Sequence, residues 1–199
     1  ENKMKNILYV FLLAGLSVAL FSCSSNSSTS STASTTEVEG TWITSCYASG
    51  TSYYIQTLTV SGTDLTTKIE RHTDSSCSTD NGTYIDTYSS LSIGDSVTFT
   101  SGSTGHKFSL AVSTFTYTPT LASDVSTINA AVWCGYSNWT LNTAKDYTGK
   151  TCGSTSYSVA NTTYLGLYML VGNNLFTGTF SSTGTYPTSV YTSIPLVRQ

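Results

Sequence analysis

The sequence predicts an all-β fold with eight or nine antiparallel strands and one short helix. Short segments alternate apolar and polar residues with the two-residue period of a strand, and Gly, Asn and Asp separate them. Thr, Ser and Tyr are abundant, whereas charged residues make up only 10% of the chain, against roughly 25% in an average soluble protein. Hydroxyl-bearing and aromatic residues favour strands. An up-and-down barrel or a sandwich fits this strand count.

The N-terminal segment predicts secretion and lipid anchoring. Two lysines precede an apolar run over residues 7–21, which is typical of a secretion signal and shorter than the roughly 20 residues that span a bilayer. We therefore expect residues 1–22 to be a signal peptide. The run ends in Leu20-Phe21-Ser22-Cys23, which resembles a bacterial lipobox. This resemblance implies cleavage before Cys23 and acylation of its sulfur; an uncleaved membrane anchor is the alternative.

Residues 23–38 are predicted to form a tether. The stretch SSNSSTSSTASTT, residues 24–36, is too polar to bury a core, so we expect it to be disordered. The lipid on Cys23 would hold the protein to a membrane of the bacterial cell envelope, which makes that membrane the first expected partner. Ser24 follows Cys23 in place of Asp, and resemblance to Gram-negative lipoprotein sorting then implies the outer membrane in a Gram-negative cell. Residues 39–199 remain for one folded domain.

The cysteines predict two disulfide bonds. Five cysteines would leave one unpaired thiol in an oxidising compartment. Acylation of Cys23 removes the odd one, and the four others permit three connectivities. We favour Cys46 with Cys77 and Cys134 with Cys152, since each pair flanks a compact segment. The chain has no Cys-x-x-Cys and no histidine placed nearby in a repeating pattern, so neither a metal site nor another cofactor is expected.

The strands are expected to follow one another as a meander. The first three are predicted at 41–47, 53–61 and 64–72, the last two as a hairpin around Gly62. The later strands are predicted at 83–91, 97–100, 108–117, 163–171, 175–180 and 190–197, and the last of them should close the sheet on the first. The turn signals between them are Asp80-Asn81-Gly82, Gly94-Asp95, residues 102–105 and Asn173-Asn174.

One helix and one stapled loop interrupt the strands. Leu, Val and Ile at helical spacing predict a helix within residues 121–133, with Ser123 or Thr120 as its N-cap. Residues 133–152 contain two of the three tryptophans and the last two cysteines. We expect a disulfide-stapled loop here, with a short strand at 137–141.

Composition and motifs argue against nucleic-acid binding and against catalysis. The net charge is −3 with only eight Lys and Arg, so the basic stripe that phosphate backbones require is missing. His72 and His106 stand in no metal-binding or nucleophile spacing and are expected at exposed loop edges. No nucleophile elbow or calcium-binding loop occurs. The protein is therefore expected not to be an enzyme; two carboxylates that meet only in the fold are the alternative that stays open.

Two short features resemble a known family. Gly40-Thr41-Trp42 resembles the Gly-x-Trp signature of lipocalins, and Arg198 resembles their C-terminal arginine. The wider set GTWITSCY, YYIQTLTVSG, SSC and WCGYSNW resembles the lipocalin-like domain of the adenomatosis polyposis coli down-regulated family and its bacterial lipoprotein relatives. This resemblance covers most of residues 39–199. It implies a β-barrel in which Trp42 plugs one end, Arg198 packs across it, and an acyl chain or other apolar ligand binds inside.

An eight-stranded barrel is either filled by its own side chains or holds one small ligand. A cavity of roughly 300 Å³ or more would indicate ligand binding. A filled interior with an exposed aromatic patch would indicate an adhesin or envelope structural protein that meets a glycan or another protein. Alternation predicts the residues that line the interior, and ordinary core packing is the alternative for the same set. These candidate ligand-binding residues are Tyr54, Leu58, Val60, Ile69, Leu110, Leu167 and Met169.

Overall fold

The computed structural model describes residues 37–99 and 101–199. The predicted signal peptide, the acylation of Cys23 and most of the tether lie outside these residues and stay predictions. Within the described residues, no helix has both the length and the hydropathy that are needed to cross a membrane.

Strands account for most of the regular structure in the described residues. The strands are β1 (Gly40–Ile43), β2 (Tyr47–Ser49), β3 (Ser52–Ser61), β4 (Asp64–His72), β5 (Asp80–Thr98), β6 (Thr104–Thr118), β7 (Lys145–Asp146), β8 (Thr151–Cys152), β9 (Thr155–Ser156), β10 (Thr163–Val171), β11 (Asn174–Thr177) and β12 (Leu196–Arg198). One α-helix, α1 (Ala122–Ala130), and one 3-10 turn, Trp133–Gly135, follow β6.

Eight antiparallel strands close into a barrel, which confirms the predicted fold class. Around the ring the order is β1, β12, β11, β10, β6, β5, β4 and β3, and β3 pairs again with β1. Trp42 in β1 marks the closure, because it lies opposite Arg198 on one side and Leu58 on the other. The predicted return of the last strand to the first is therefore confirmed. Strand β2 extends the sheet beside β3, and β7 pairs with β6.

Strands with strict alternation fold as predicted. β3 and β4 form a hairpin with Ser61 opposite Asp64, and Gly62 in the turn has a φ of 58°, which favours glycine. On β3, the buried residues Tyr54, Leu58 and Val60 share one face of the strand, as alternation predicts. Strand β10 has the bounds that its apolar run predicts.

Two predicted turns are absent, because their residues belong to strand β5. Asp80-Asn81-Gly82 and Gly94-Asp95 both lie inside this 19-residue strand. The pairing with β6 shifts register at three places, so bulges absorb the residues that signal turns elsewhere. Gly82 is required for a different reason, since a Cβ at this position would overlap the Tyr117 ring.

Four other predicted strands differ from the structure. The first predicted strand divides into β1 and β2. The strand predicted at 137–141 does not form, because the Asn129 side chain bonds both the Trp139 N–H, at 2.6 Å, and the Trp139 carbonyl, at 3.0 Å, in place of a neighbouring strand. The last strand begins only at Leu196, since the preceding Pro195 has no N–H to donate to a ladder. Strand β11 ends at Thr177, short of the predicted 180.

The helix forms without the predicted N-cap. Its N-cap residue is Leu121, and no side chain bonds the free N–H groups. The Thr120 hydroxyl is buried and has no hydrogen-bond partner among the described residues, while Ser123 lies inside the helix. Neither proposed capping residue therefore serves in that role.

Both favoured disulfides are present. Cys46 is bonded to Cys77 across a separation of 31 residues, and Cys134 to Cys152 across 18. Loops of these lengths correspond to about 3–4 kcal/mol of stabilisation each in the chain-entropy account. The first bond joins the connection between β1 and β2 to the loop between β4 and β5. The second holds together the segment that covers one end of the barrel.

Candidate functional site

The two ends of the barrel are closed in different ways. At the first, here called the Trp42 end, the Trp42 side chain is completely buried and its indole N–H donates to the Val38 carbonyl at 2.8 Å. The Arg198 guanidinium carbon lies 4.1 Å from the Trp42 ring centroid, and its two terminal nitrogens donate to the carbonyls of Glu37 and Glu39 at 2.7 and 2.9 Å. This packing of Arg198 across Trp42 is the arrangement that the family resemblance implies.

An apolar pocket lies inside the barrel at the Trp42 end. Its free volume is about 20 Å³, which is room for about one water-sized group. Ligand pockets for drug-sized molecules are usually larger than about 300 Å³, so side chains fill most of this interior. The pocket is lined by Val38, Leu58, Val60, Leu65, Leu91, Ile93, Phe108, Tyr168, Leu175, Thr177 and Phe180.

The structure brings some predicted lining residues to this pocket. Leu58 and Val60 line it directly. Leu110 belongs to the same buried core, and Ile69 packs against that core while partly exposed. Tyr54 lies on the same face of β3 as Leu58, but near the opposite end of the barrel, where it is paired with Arg71.

Leu167 and Met169 were predicted to line the barrel interior, but they are not among the residues that line the pocket. Tyr168 lines the pocket, and alternation places its two neighbours on the outer face of the strand. Gly166 is also on the inner face, where the Phe108 ring occupies the space that a Cβ would need. Both predicted residues are buried nonetheless. Lys107, which lies opposite Leu167, has its ammonium 5.1 Å from the Tyr186 ring, so the segment near Tyr186 passes over this outer face.

The pocket includes residues that the sequence reasoning missed. Leu65 and Phe108 follow the same alternation as the predicted set, and counting inward positions on β4 and β6 would have found them. Phe180 lies beyond β11, outside any strand, and packs edge-to-face on Tyr88 and Phe108 with centroids 6.0 and 5.3 Å apart. No sequence periodicity marks it.

A group of polar side chains adjoins the pocket. The Tyr168 hydroxyl donates to the Glu37 carboxylate. The His106 Nε2 lies 3.9 Å from the same carboxylate oxygen, and the His106 ring stacks on the Tyr168 ring with centroids 5.6 Å apart. Burial, followed by the Glu37 carboxylate, raises the pKa of Tyr168 above its ordinary value, so this hydroxyl keeps its proton. We call Glu37, His106 and Tyr168 the polar mouth.

The opposite end of the barrel is covered by residues 122–157, here called the cap. Trp133 and Trp139 pack edge-on against Tyr117, with centroids 5.3 and 5.8 Å away. Tyr147 and Tyr157 pack against Phe115 at 6.1 and 5.8 Å. Because Tyr117 and Phe115 are buried positions of β6, the cap places a cluster of aromatic rings directly over the barrel interior.

An ion pair joins the cap to the barrel wall. Arg71 Nη2 lies 2.9 Å from the Asp124 carboxylate in α1, and both side chains are largely buried. The same nitrogen donates to the Asn81 carbonyl at 3.0 Å and contacts the Tyr117 hydroxyl at 3.1 Å. The Tyr117 hydroxyl in turn donates to Asp124. The polar groups of Arg71, Asp124 and Tyr117 therefore bond mainly to one another.

Asp86, at the cap end, stands outside this network of polar contacts. It lies on the same face of β5 as Tyr84 and Tyr88, opposite Thr67 and Phe115. Although part of the residue reaches solvent, its Oδ1 is shielded and has no hydrogen-bond partner among the described residues. Burial raises the pKa of Asp86 to about 7. Perturbed carboxyls of this kind occur at functional sites, but a general acid needs a partner group near a substrate position.

The two histidines differ from their predicted positions. His72 is buried, not exposed, and both of its ring nitrogens have no hydrogen-bond partner among the described residues. His106 is partly buried in the polar mouth. Within residues 37–99 and 101–199, no three His, Cys, Asp or Glu side chains meet in a way that could hold a metal ion.

No protein-family model matches this chain, and no curated protein matches it either. The geometry of the barrel therefore carries the functional argument.

Proposed function

We propose that the protein is a non-catalytic, lipid-anchored binding protein of the bacterial envelope, of lipocalin-like type, which takes an apolar, acyl-chain-like ligand at the Trp42 end. The observation that carries this proposal is the lining of the pocket, where Leu, Val, Ile and Phe side chains surround the free space. Apolar lining with a few polar groups at one side is the usual composition of a site for an apolar ligand.

The small volume of the pocket sets a condition on this function. A chain of several carbons needs more than about 20 Å³, so at least one lining side chain has to move when the ligand binds. Phe180 is the best candidate, because it lies outside the strands, whereas every other lining residue except Val38 belongs to a strand. Val38 is held by its carbonyl, which accepts the hydrogen bond of the Trp42 indole. Its ring is partly buried and packs against inward-facing rings. Rotation of this ring would open the pocket without breaking a strand pairing.

The test is binding of a neutral fluorescent apolar probe, N-phenyl-1-naphthylamine, to the full-length protein, together with native mass spectrometry before and after organic extraction. The variant F180A is expected to bind the probe at least several-fold more tightly than the wild type, because the obstructing ring is gone. F176A is the matched control, since Phe176 is four residues earlier in the chain, in β11, and lies on the outer face, opposite Met169. It should bind as the wild type does.

A second candidate function is favoured by the same small volume. A barrel filled by its own side chains suits an adhesin or envelope structural protein that meets a glycan or another protein through its exterior. If neither the wild type nor F180A takes up the probe, and no lipid is extracted from the purified protein, ligand binding is ruled out and this second function takes its place.

A further inference from the structure

The polar mouth carries a negative charge beside the apolar pocket. Tyr168 belongs to both, because its ring lines the pocket and its hydroxyl donates to Glu37. Val38, the residue after Glu37, lines the pocket as well. The side chains of Glu37 and His106 are about one-third and one-fifth exposed, so a molecule with its apolar part in the pocket would bring its polar end to them.

The positive charges near this mouth are engaged elsewhere. Arg198 stacks on Trp42 and donates to two backbone carbonyls. Lys107 lies on the outer face, above the Tyr186 ring. The other nearby carboxylate, Glu39, accepts a hydrogen bond from the Gly62 N–H at 2.8 Å, on the hairpin turn. The carboxylate of Glu37 is therefore the charged group that a bound head group meets.

We propose that the polar mouth selects the head group of the ligand: it favours an amphiphile whose head donates hydrogen bonds, above all an amine, over one that ends in a carboxylate. This inference rests on the proposed function and names the ligand class for the same pocket.

The physical reason is complementarity of charge. An ammonium group placed beside Glu37 gains a charge-assisted hydrogen bond, whereas a second carboxylate is repelled and has to be desolvated without a partner. An alcohol, which can donate without charge, should fall between the two. The single-chain tail would occupy the apolar pocket in all three cases, so tail length can be held constant while the head group is varied.

The experiment is displacement of N-phenyl-1-naphthylamine from the full-length protein at pH 8 by dodecylamine, 1-dodecanol and dodecanoate. We expect dodecylamine to compete at least tenfold better than dodecanoate, with dodecanol between them. In E37Q this preference should fall to within about threefold, because the new side-chain amide still accepts the Tyr168 hydrogen bond but has no charge. E39Q is the matched control: it removes the same charge two residues away and should keep the full preference.

The outcomes separate this inference from the function on which it rests. If the neutral probe does not bind, the proposed function fails and the selection fails with it. If the probe binds but dodecanoate competes as well as dodecylamine, the pocket exists and the head-group inference is wrong. An equal loss of preference in E37Q and E39Q would also overturn it, since the effect would then come from net charge and not from the mouth.

Discussion

The two ends of this barrel differ in what their polar groups do. At the cap end, Arg71, Asp124 and Tyr117 bond one another, and the rings of the cap pack closely over them. At the Trp42 end, the interior is apolar and nearly filled, and the polar groups stand at its side, partly exposed. If the protein binds a ligand as proposed, entry at the Trp42 end requires the displacement of one ring, whereas entry at the cap end would break a charged network.

The largest expected effect is the loss of stability when the ion pair at the cap end is broken. D124N removes the charge that pairs with Arg71 and leaves a buried guanidinium without its counterion. Breaking a buried pair from one side costs about 3–5 kcal/mol, so the free energy of unfolding in urea should fall by about that amount. D64N, which changes an exposed carboxyl in the β3–β4 hairpin, is the control and should change stability by less than about 0.5 kcal/mol. If both variants lowered the free energy of unfolding by the same amount, the Arg71–Asp124 ion pair would not stabilise this end as described.

The second prediction concerns the cost of burying the Asp86 carboxylate at the same end. Its pKa of about 7 in the folded protein exceeds the value of about 3.9 in an unfolded chain, so the folded state binds the proton more tightly. The stability that this provides is fully present below about pH 4 and is lost as the pH rises through about 7.

D86N should therefore match the wild type at pH 4 and exceed it by about 2–4 kcal/mol at pH 8, since an amide carries no charge to desolvate. Urea unfolding of both proteins at the two pH values measures the difference. A constant difference across this range would show that the carboxyl has an ordinary pKa and is not strained by burial.

The smallest expected effect sharpens the description of the Trp42 end. R198K keeps the charge but loses the planar group that stacks on Trp42 and reaches two carbonyls at once. We expect a loss of about 1–2 kcal/mol in urea unfolding, with an altered near-ultraviolet circular dichroism signal from the tryptophans. If R198K lowered the free energy of unfolding as much as D124N does, the polar contacts at the Trp42 end would stabilise the fold as strongly as those at the cap end.

Sequence patterns predicted most of the barrel but not the whole of its interior. Alternation located β3 and β4, and a continuous apolar run located β10. It failed in β5, where bulges let turn-forming residues continue a strand. It also failed for the faces of β10, since both faces of that strand are buried and a strand of this kind has no polar side to mark the exterior.

The candidate site was only partly predictable for a related reason. Leu58 and Val60 follow from alternation on one strand. Glu37, His106 and Tyr168 meet only through the fold, across a separation of 131 residues between Glu37 and Tyr168. Asp86 shares a face with Tyr84 and Tyr88 in the sequence pattern, but a carboxyl between tyrosines indicates an exposed face as readily as a buried one.

Hydrogen exchange of the full-length protein, measured by mass spectrometry with and without saturating dodecylamine, tests the central claim most directly. The account predicts slower exchange in peptides that cover residues 37–43 and 174–181, around the pocket and its polar mouth, and unchanged exchange in peptides from residues 133–157 of the cap. Slower exchange confined to the cap would place the ligand at the other end of the barrel and contradict the account.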